Sequence, residues 1–367
     1  MKKNEKPTLS VCITVYNQRE LVKQCLDNII QCDENDIEII ISDDNSSEDI
    51  KGLVQSYSDN RIRYYCNNEN LGHDRNIIRA LELSTGKYAL VLRTRDYLIS
   101  EKIGDLISIL KKENASYITA AALNQDGKIK LSYNREYFLR GREDFEANFK
   151  LFIHPSGNIY KLDELNIDKL NDFIKRECIS KKAFIVHSLI RLQLAAVGDF
   201  RLIKEPMWVY TDTESAKDIA VNCSDNGMSV YDPSLIEERY LLEIKWMESI
   251  LYDDLYFNYL LITKAYLYQA TWGFKLVNKD KQSQHHYGYS GKKFSVLKEC
   301  ARFKQLSLLM YNEAFNVSKI KYERDIDKIL WENILKNVFR YYVRKIAYHT
   351  SLYNRLAIIY KKYFLKV

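Results

Sequence analysis

Hydrophobic positions in the first third of the chain alternate between short apolar runs and longer stretches at helical spacing. Residues 9–15 are an apolar, β-branched run of strand length. Residues 19–31 carry apolar side chains at helical period, with Asn17 as N-cap and Glu20 three residues on, the spacing of a capping box. Residues 37–42 form a second apolar run, and a helix is predicted after it to Tyr57, opened by Ser46 or Ser47. The series continues with a strand at 61–66, a helix at 72–84 that stops at Thr85-Gly86, a strand at 88–92, a helix at 101–112 and a strand at 116–121. This alternation, with nearly unbroken apolar strands, predicts an α/β fold with a mostly parallel sheet flanked by helices. Residues 122–213 are more mixed; the turn His154-Pro155-Ser156-Gly157 and the segment 185–210 stand out. Beyond residue 213 the chain is rich in Leu, Ile, Tyr and Lys at helical spacing. The expected organisation is an α/β domain over 1–213, in segments 8–121 and 122–213, followed by a mainly α-helical C-terminal region over 214–367.

Composition adds three points. The 28 Tyr outnumber the 14 Phe and 4 Trp together, which fits either a general bias or surfaces that need an apolar ring with a polar tip. The net charge of +6 is unevenly spread: from Asn333 to Val367 there is no Asp or Glu, while Lys336, Arg340, Arg344, Lys345, Arg355 and Lys361 are among the basic residues. Such a tail suits an anionic surface. The 7 Cys show no CxxC pairing, so a zinc site is not expected, and the set fits a reducing compartment. Cys12 and Cys66 lie in apolar runs and are expected to be buried. The opening MKKNEKPTLS lacks an apolar core, so no signal peptide is expected, and no stretch reaches the length of a spanning helix.

Ligands of open parallel sheets bind beyond the carboxyl ends of the strands. Those ends carry Thr14-Val15-Tyr16-Asn17, Asp43-Asp44-Asn45-Ser46-Ser47 and Arg93-Thr94-Arg95-Asp96, a polar constellation on one edge. Neither GxGxxG nor GxxxxGK[ST] occurs, which disfavours a dinucleotide fold and a P-loop.

The stretch from Ser10 to Asn17, the run from Ile39 to Ser47, and Asn70-Leu71-Gly72-His73-Asp74-Arg75-Asn76 followed by Thr85-Gly86-Lys87-Tyr88 resemble, in order and spacing, the family 2 glycosyltransferases of bacterial surface-polysaccharide type. The resemblance covers residues 8–121 well and 150–213 loosely. It implies a GT-A fold and a nucleotide-diphosphate sugar donor. By motif position it brings Thr14, Tyr16, Asn17, Asp43, Asp44, Arg75, Arg93 and Arg95 to the nucleotide. The family has an Asp-rich metal motif where this chain has Arg93-Thr94-Arg95-Asp96. Two readings follow. Either Asp96 alone anchors Mg²⁺ or Mn²⁺, or Arg93 and Arg95 neutralise the diphosphate without metal.

An inverting transfer needs a general base. The neighbourhood that matches the family's acidic base has no Asp or Glu, and His187 stands near the position, with Glu177, Asp172 and Asp199 as alternatives. His154, Ser156 and Gly157 resemble an acceptor-side loop. Residues 334–367 have the composition of an amphipathic helix on an anionic bilayer, or of a helix packed on the protein with a solvated basic face. The expectation is a glycosyltransferase acting on a glycan or lipid-linked acceptor in surface-polysaccharide synthesis, cytoplasmic or at the inner membrane face, with no nucleic-acid partner. The alternative is a non-catalytic binding subunit on a degenerate domain of this kind.

Overall fold

A computed structural model describes residues 6–132, 135–138, 140, 155–178, 185–211, 233–250, 255–277, 296–311 and 315–334. It divides the chain into two compact units, Met1–Val230 with Leu241–Asp254, and Tyr231–Tyr240 with Leu255–Val367.

The first unit is an α/β layer structure. Strand β1 (Leu9–Val15) is followed by α1 (Arg19–Ile29), β2 (Ile37–Asp43), α2 (Ile50–Gln55), β3 (Ile62–Cys66), α3 (His73–Glu82) and β4 (Tyr88–Arg93). The strands β5 (Tyr97–Leu98), β6 (Tyr117–Asn124), β7 (Ile129–Leu131), β8 (Tyr137–Phe138), β9 (Asn158–Lys161) and β10 (Phe200–Tyr210) come next, interleaved with α4 (Ile103–Lys112), α5 (Ile167–Glu177) and α6 (Val186–Ala195). The sheet order is β3-β2-β1-β4-β9-β6-β10-β5. The first four strands are mutually parallel, as their continuous apolar runs predict. Beyond them the sheet is mixed: β9 runs antiparallel between β4 and β6, while β6 and β10 pair in parallel. Side chains of β1 alternate between two covered faces. Val11 and Ile13 join a core with Val22, Leu26 and Ile29 of α1, while the Cys12 thiol faces Ser84 beyond the end of α3.

Two helix starts differ from the sequence expectation. The N-cap of α1 is Gln18, left-handed at φ 65°, with no side-chain capping bond. Asn17 is unavailable because its Oδ1 accepts from Ser47 N at 2.9 Å and from the Ser47 hydroxyl at 3.1 Å. For the same reason neither Ser46 nor Ser47 opens α2; Asp49 caps it by accepting from Gly52 N at 2.8 Å. Cys12 is buried as expected, and burial pushes its thiol up to about 12. Cys66 is exposed, because it ends the outermost strand of the sheet.

The second unit packs α8 (Leu255–Val277), α9 (Val296–Leu309) and α10 (Lys319–Ile334) with the first part of α7 (Pro233–Ser249). Part of the Tyr richness is spent here. The buried hydroxyls of Tyr240 and Tyr259 meet at 2.8 Å, Tyr240 also contacts the Thr263 hydroxyl at 3.0 Å, and Tyr259 donates to Ser307 O at 3.0 Å. Each phenol thus buries a ring while its polar tip is satisfied. No helix among the described residues is long and apolar enough to cross a membrane. The amphipathic segment expected over 334–367 lies, past Ile334, outside the described residues.

Candidate functional site

The carboxyl ends of β1, β2 and β4 meet at one edge of the sheet, in register: Val15 lies opposite Asp43, and Thr14 lies opposite Arg93. The turns that leave these strands are tied together. Asn17 N donates to the Ser46 hydroxyl at 2.7 Å, and the Thr94 hydroxyl donates to Gln18 Oε1. Asn17, Gln18 and Asn45 all take left-handed backbone, at φ 58°, 65° and 60°. For Gln this is uncommon and holds the loop under strain, a feature that clusters at functional sites. Tyr16 stands 53% exposed at the lip, an aromatic face available for stacking, while Thr14 below it is partly buried.

Asp43 and Asp44 are both buried, at 2% and 3% exposure. Asp43 accepts from Ser46 N at 3.0 Å and from the Tyr64 hydroxyl at 2.7 Å. Asp44 accepts from Leu71 N at 2.7 Å, Gly72 N at 2.9 Å and Asn67 Nδ2 at 3.0 Å. Asp44 therefore clamps the loop that leads into α3. Burial holds its carboxyl above the usual range despite these donors. Both oxygens of Asp44 are thus engaged in shaping the turn. Arg75, on the first turn of α3, is partly buried at the same edge.

The turn after β4 is built around Asp96, which is 0% exposed. Its Oδ2 accepts from Arg93 Nε at 2.9 Å, Arg93 Nη2 at 2.8 Å and the Ser156 hydroxyl at 2.6 Å, and its Oδ1 accepts from Thr211 N at 3.0 Å. Arg93 N in turn donates to the Ser156 oxygen at 3.0 Å. From below, the Cys25 thiol approaches Thr94 O and Asp96 O, both at 3.0 Å. Mg²⁺ and Mn²⁺ require several oxygen ligands. The carboxylate of this turn is already met by a guanidinium, a hydroxyl and a backbone N–H, and the described residues gather no set of three or more His, Cys, Asp or Glu able to hold an ion. The residues present do not fit Asp96 as an exposed metal anchor. Arg95 is partly buried beside it.

Of the residues expected on the acceptor side, two are described. Ser156 and Gly157 are buried and serve the Asp96 turn from beneath; His154 lies outside the described residues. Gly157 has φ 80°, and a Cβ there would come within 2.4 Å of Trp208 Nε1, which donates to Ala120 O at 3.0 Å.

The helix starts of α3 and α6 bring two histidines together, with ring centroids 5.9 Å apart. His187 Nδ1 lies 2.8 Å from the Tyr160 hydroxyl, and its Nε2 is buried with no hydrogen-bond partner. Burial, then the charge of His73, with Arg191 and Arg93 in the same sense and Asp74 opposing, pushes His187 down to about 3. Burial and the unmatched Nε2 disfavour a charged His187. The first-turn partner is different. His73 keeps a 24% exposed side chain, and its Nδ1 lies 3.1 Å from Oδ1 of buried Asp74. Burial raises the Asp74 carboxyl, but the His73 hydrogen bond and charge, with the Ile185 N–H, outweigh it and hold Asp74 below the usual range. Asp74 also accepts from Ile185 N at 3.1 Å, so one carboxylate orients His73 and the head of α6.

The other acids expected as alternatives lie elsewhere. Asp199 precedes β10 at the opposite edge of the sheet, where it accepts from Arg140 N at 2.7 Å. Glu177 is paired with Arg176 and Lys245, each at 2.8 Å, and Asp172 is exposed on α5. His73 and Asp74 were missed by sequence reasoning although they sit inside the Asn70–Asn76 motif. An adjacent His-Asp pair at a helix start is the signal that could have found them.

The profile of Glycosyl transferase family 2 matches residues 10–162. Among curated proteins, the GalNAc(5)-diNAcBac-PP-undecaprenol beta-1,3-glucosyltransferase of Campylobacter jejuni is 29% identical over 205 residues, 51% of this chain and 64% of that protein. The UDP-Glc:alpha-D-GlcNAc-diphosphoundecaprenol beta-1,3-glucosyltransferase WfaP of Escherichia coli is 28% identical over 109 residues, 30% of this chain and 43% of that protein. The chain thus spans under two thirds of the length of these relatives. Among solved structures, S. aureus TarS 1–349 in complex with UDP-GlcNAc superposes with TM-score 0.57 at 12% identity, over 87% of this chain and 90% of that one, a likeness of fold.

Proposed function

We propose, from the match of residues 10–162 to Glycosyl transferase family 2 and from the GT-A-like fold, that the chain moves a sugar from a nucleotide-diphosphate donor to a glycan or lipid-linked acceptor in surface-polysaccharide synthesis. The names of the relatives favour a UDP-sugar donor and an acceptor on a lipid diphosphate, and with it a location at the inner face of the cell membrane. The observation that carries the reading is the convergence of three cross-linked turns on the carboxyl edge of the sheet, two of them with left-handed backbone, with Tyr16 at the lip and Arg75, Arg93 and Arg95 at the same edge.

In this reading Tyr16 stacks on the base and the arginines meet the charge of the diphosphate, a task suited to permanently charged, forked donors. Asp96 positions Arg93. Charge compensation falls to these arginines, because the Asp96 carboxylate is engaged by Arg93, the Ser156 hydroxyl and Thr211 N. The acceptor oxygen attacks the anomeric carbon as the bond to the diphosphate oxygen breaks, with inversion. The acceptor proton goes to Nε2 of His73, whose Nδ1–H is held by Asp74, and the nucleoside diphosphate leaves with its charge compensated.

The test is a thermal-shift panel of UDP, GDP, CDP and dTDP, each with and without Mn²⁺, followed by transfer assays. A nucleotide at about 100 times its Kd adds roughly 2.7 kcal/mol. The expected result is a shift with one nucleotide, of equal size without Mn²⁺. His73→Asn should lower kcat by about 10²–10⁴ and leave that shift intact, while His187→Asn should lower kcat by less. No shift with any nucleotide rejects the reading. A shift with no donor turnover selects the non-catalytic binding subunit, a reading that the internally neutralised Asp96 also favours.

A further inference from the structure

The described solvent side of α9 and α10 is mostly basic. On α9 and α10 every charged residue described as exposed is basic: Lys298, Arg302, Lys319, Lys321, Arg324 and Lys328. The acids of α10 are partly buried, and two of them border this face, Asp327 one turn from Arg324 and Trp331 and Glu323 one turn from Ile320. Asp325 pairs with Lys321 at 2.5 Å, Asp327 with Lys304 of α9 at 2.5 Å, and Glu332 with Lys264 of α8 at 3.4 Å. Lys304 of α9, Lys264 of α8 and Lys321 of α10 itself therefore pair with these carboxylates, while Arg324 and Lys328 are exposed.

The same row contains large apolar side chains that no described residue covers. Ile320 is 74% exposed and Trp331 is 63% exposed, on either side of Arg324 and Lys328. Positions 320, 324, 328 and 331 recur at helical period and form one stripe about three turns long. The opposite face of α10 is the buried one, through Tyr322, Ile326 and Leu330. Leu309, at the end of α9, is 81% exposed. An aliphatic side chain and an indole interleaved with cations match a bilayer surface, where the indole sits at headgroup level and the cations meet anionic lipid. A nucleic acid would satisfy the cations and leave Ile320 in water.

We propose that the Ile320–Arg324–Lys328–Trp331 stripe of α10 docks the protein on an anionic lipid surface. The proposal does not depend on the sugar-transfer reading, because it uses no residue of that site.

The experiment is vesicle co-sedimentation of the full chain, with phosphatidylcholine alone or mixed with about a third phosphatidylglycerol. The wild type should bind only the mixed vesicles, and its binding should weaken with salt. Ile320→Ala with Trp331→Ala should weaken binding about tenfold, and Arg324→Glu with Lys328→Glu about tenfold or more. Trp331 reports directly: the emission lost in Trp331→Phe should shift to the blue on mixed vesicles. Circular dichroism and melting should be unchanged in each variant, because the altered side chains face solvent.

Absence of wild-type binding to the mixed vesicles overturns the proposal. So does unchanged binding by both double variants. Tight binding to an oligonucleotide, lost on charge reversal and indifferent to Ile320 and Trp331, would assign the face to nucleic acid instead. A concentration-dependent dimer abolished by Trp331→Ala, with vesicle binding intact, would assign it to a second copy of the chain.

Discussion

Two acidic turns, one after β2 and one after β4, meet the same problem in opposite ways. Each buries a carboxylate at the ligand edge of the sheet. Asp44 is satisfied by neutral donors, two backbone N–H groups and an amide, so it carries its charge without a counterion. Asp96 is satisfied by a guanidinium, a hydroxyl and one N–H, so its charge is cancelled within the turn. The first arrangement builds a loop. The second converts an acid, which by itself would call for a cation, into a mount for an arginine. The proposed handling of a diphosphate by positive side chains rests on this difference.

The most severe way to break the comparison is Asp96→Ala. It strands the Arg93 guanidinium, the Ser156 hydroxyl and Thr211 N in a buried place. Removing one partner of a buried pair costs about 3–5 kcal/mol. The measurement is the urea midpoint. An Asp96 that served chiefly as a metal anchor would leave the folded protein as stable or more stable on removal, so an unchanged midpoint would sink the mount reading.

The support beneath the second turn gives a smaller effect. Gly157→Ala puts a methyl 2.4 Å from the indole nitrogen of Trp208, at a backbone angle of φ 80° that side chains rarely adopt. Overpacking and strain of this kind cost about 1–3 kcal/mol. Nucleotide-induced stabilisation should fall along with stability, since Ser156 next to it holds both Arg93 N and Asp96. Loss of stability with full nucleotide response would separate Gly157 from the site.

The parallel half of the sheet was legible because β1, β2 and β4 are buried on both faces and read as unbroken apolar runs. The second half was less so. β9 is only Asn158–Lys161, flanked by a turn and a short 3₁₀ segment, and nothing in four residues tells its direction. The site was legible as an edge and not as a set of contacts. Sequence order put Asp43, Asp44, Arg93 and Asp96 at strand ends. Whether a carboxylate points outward or back into its own turn depends on donors far away in the chain, such as Thr211 for Asp96 and Gly72 for Asp44. The same holds for the histidines. His187 was found by its place in a motif, but its burial against Tyr160 and its distance from Asp74 are tertiary facts.

The mildest probe is the pH dependence of Asp44→Asn. Asp44 has its carboxyl raised, first by burial, so between its unfolded and folded values the folded state holds more protons than the unfolded state. Stability contributed at this site therefore falls as pH rises through that window and is level above it. The slope is about 1 kcal/mol for each unit of separation. Asparagine cannot ionise, so the variant should lack this component, while losing a fixed amount because its NH₂ now faces one of Leu71 N and Gly72 N. Denaturation of both proteins between about pH 4 and 7 gives the difference. The wild type's advantage over the variant should be greatest at the acid end and should shrink toward neutrality. A constant difference across the range would mean that Asp44 is not under-compensated, and the contrast with the internally neutralised turn at Asp96 would disappear.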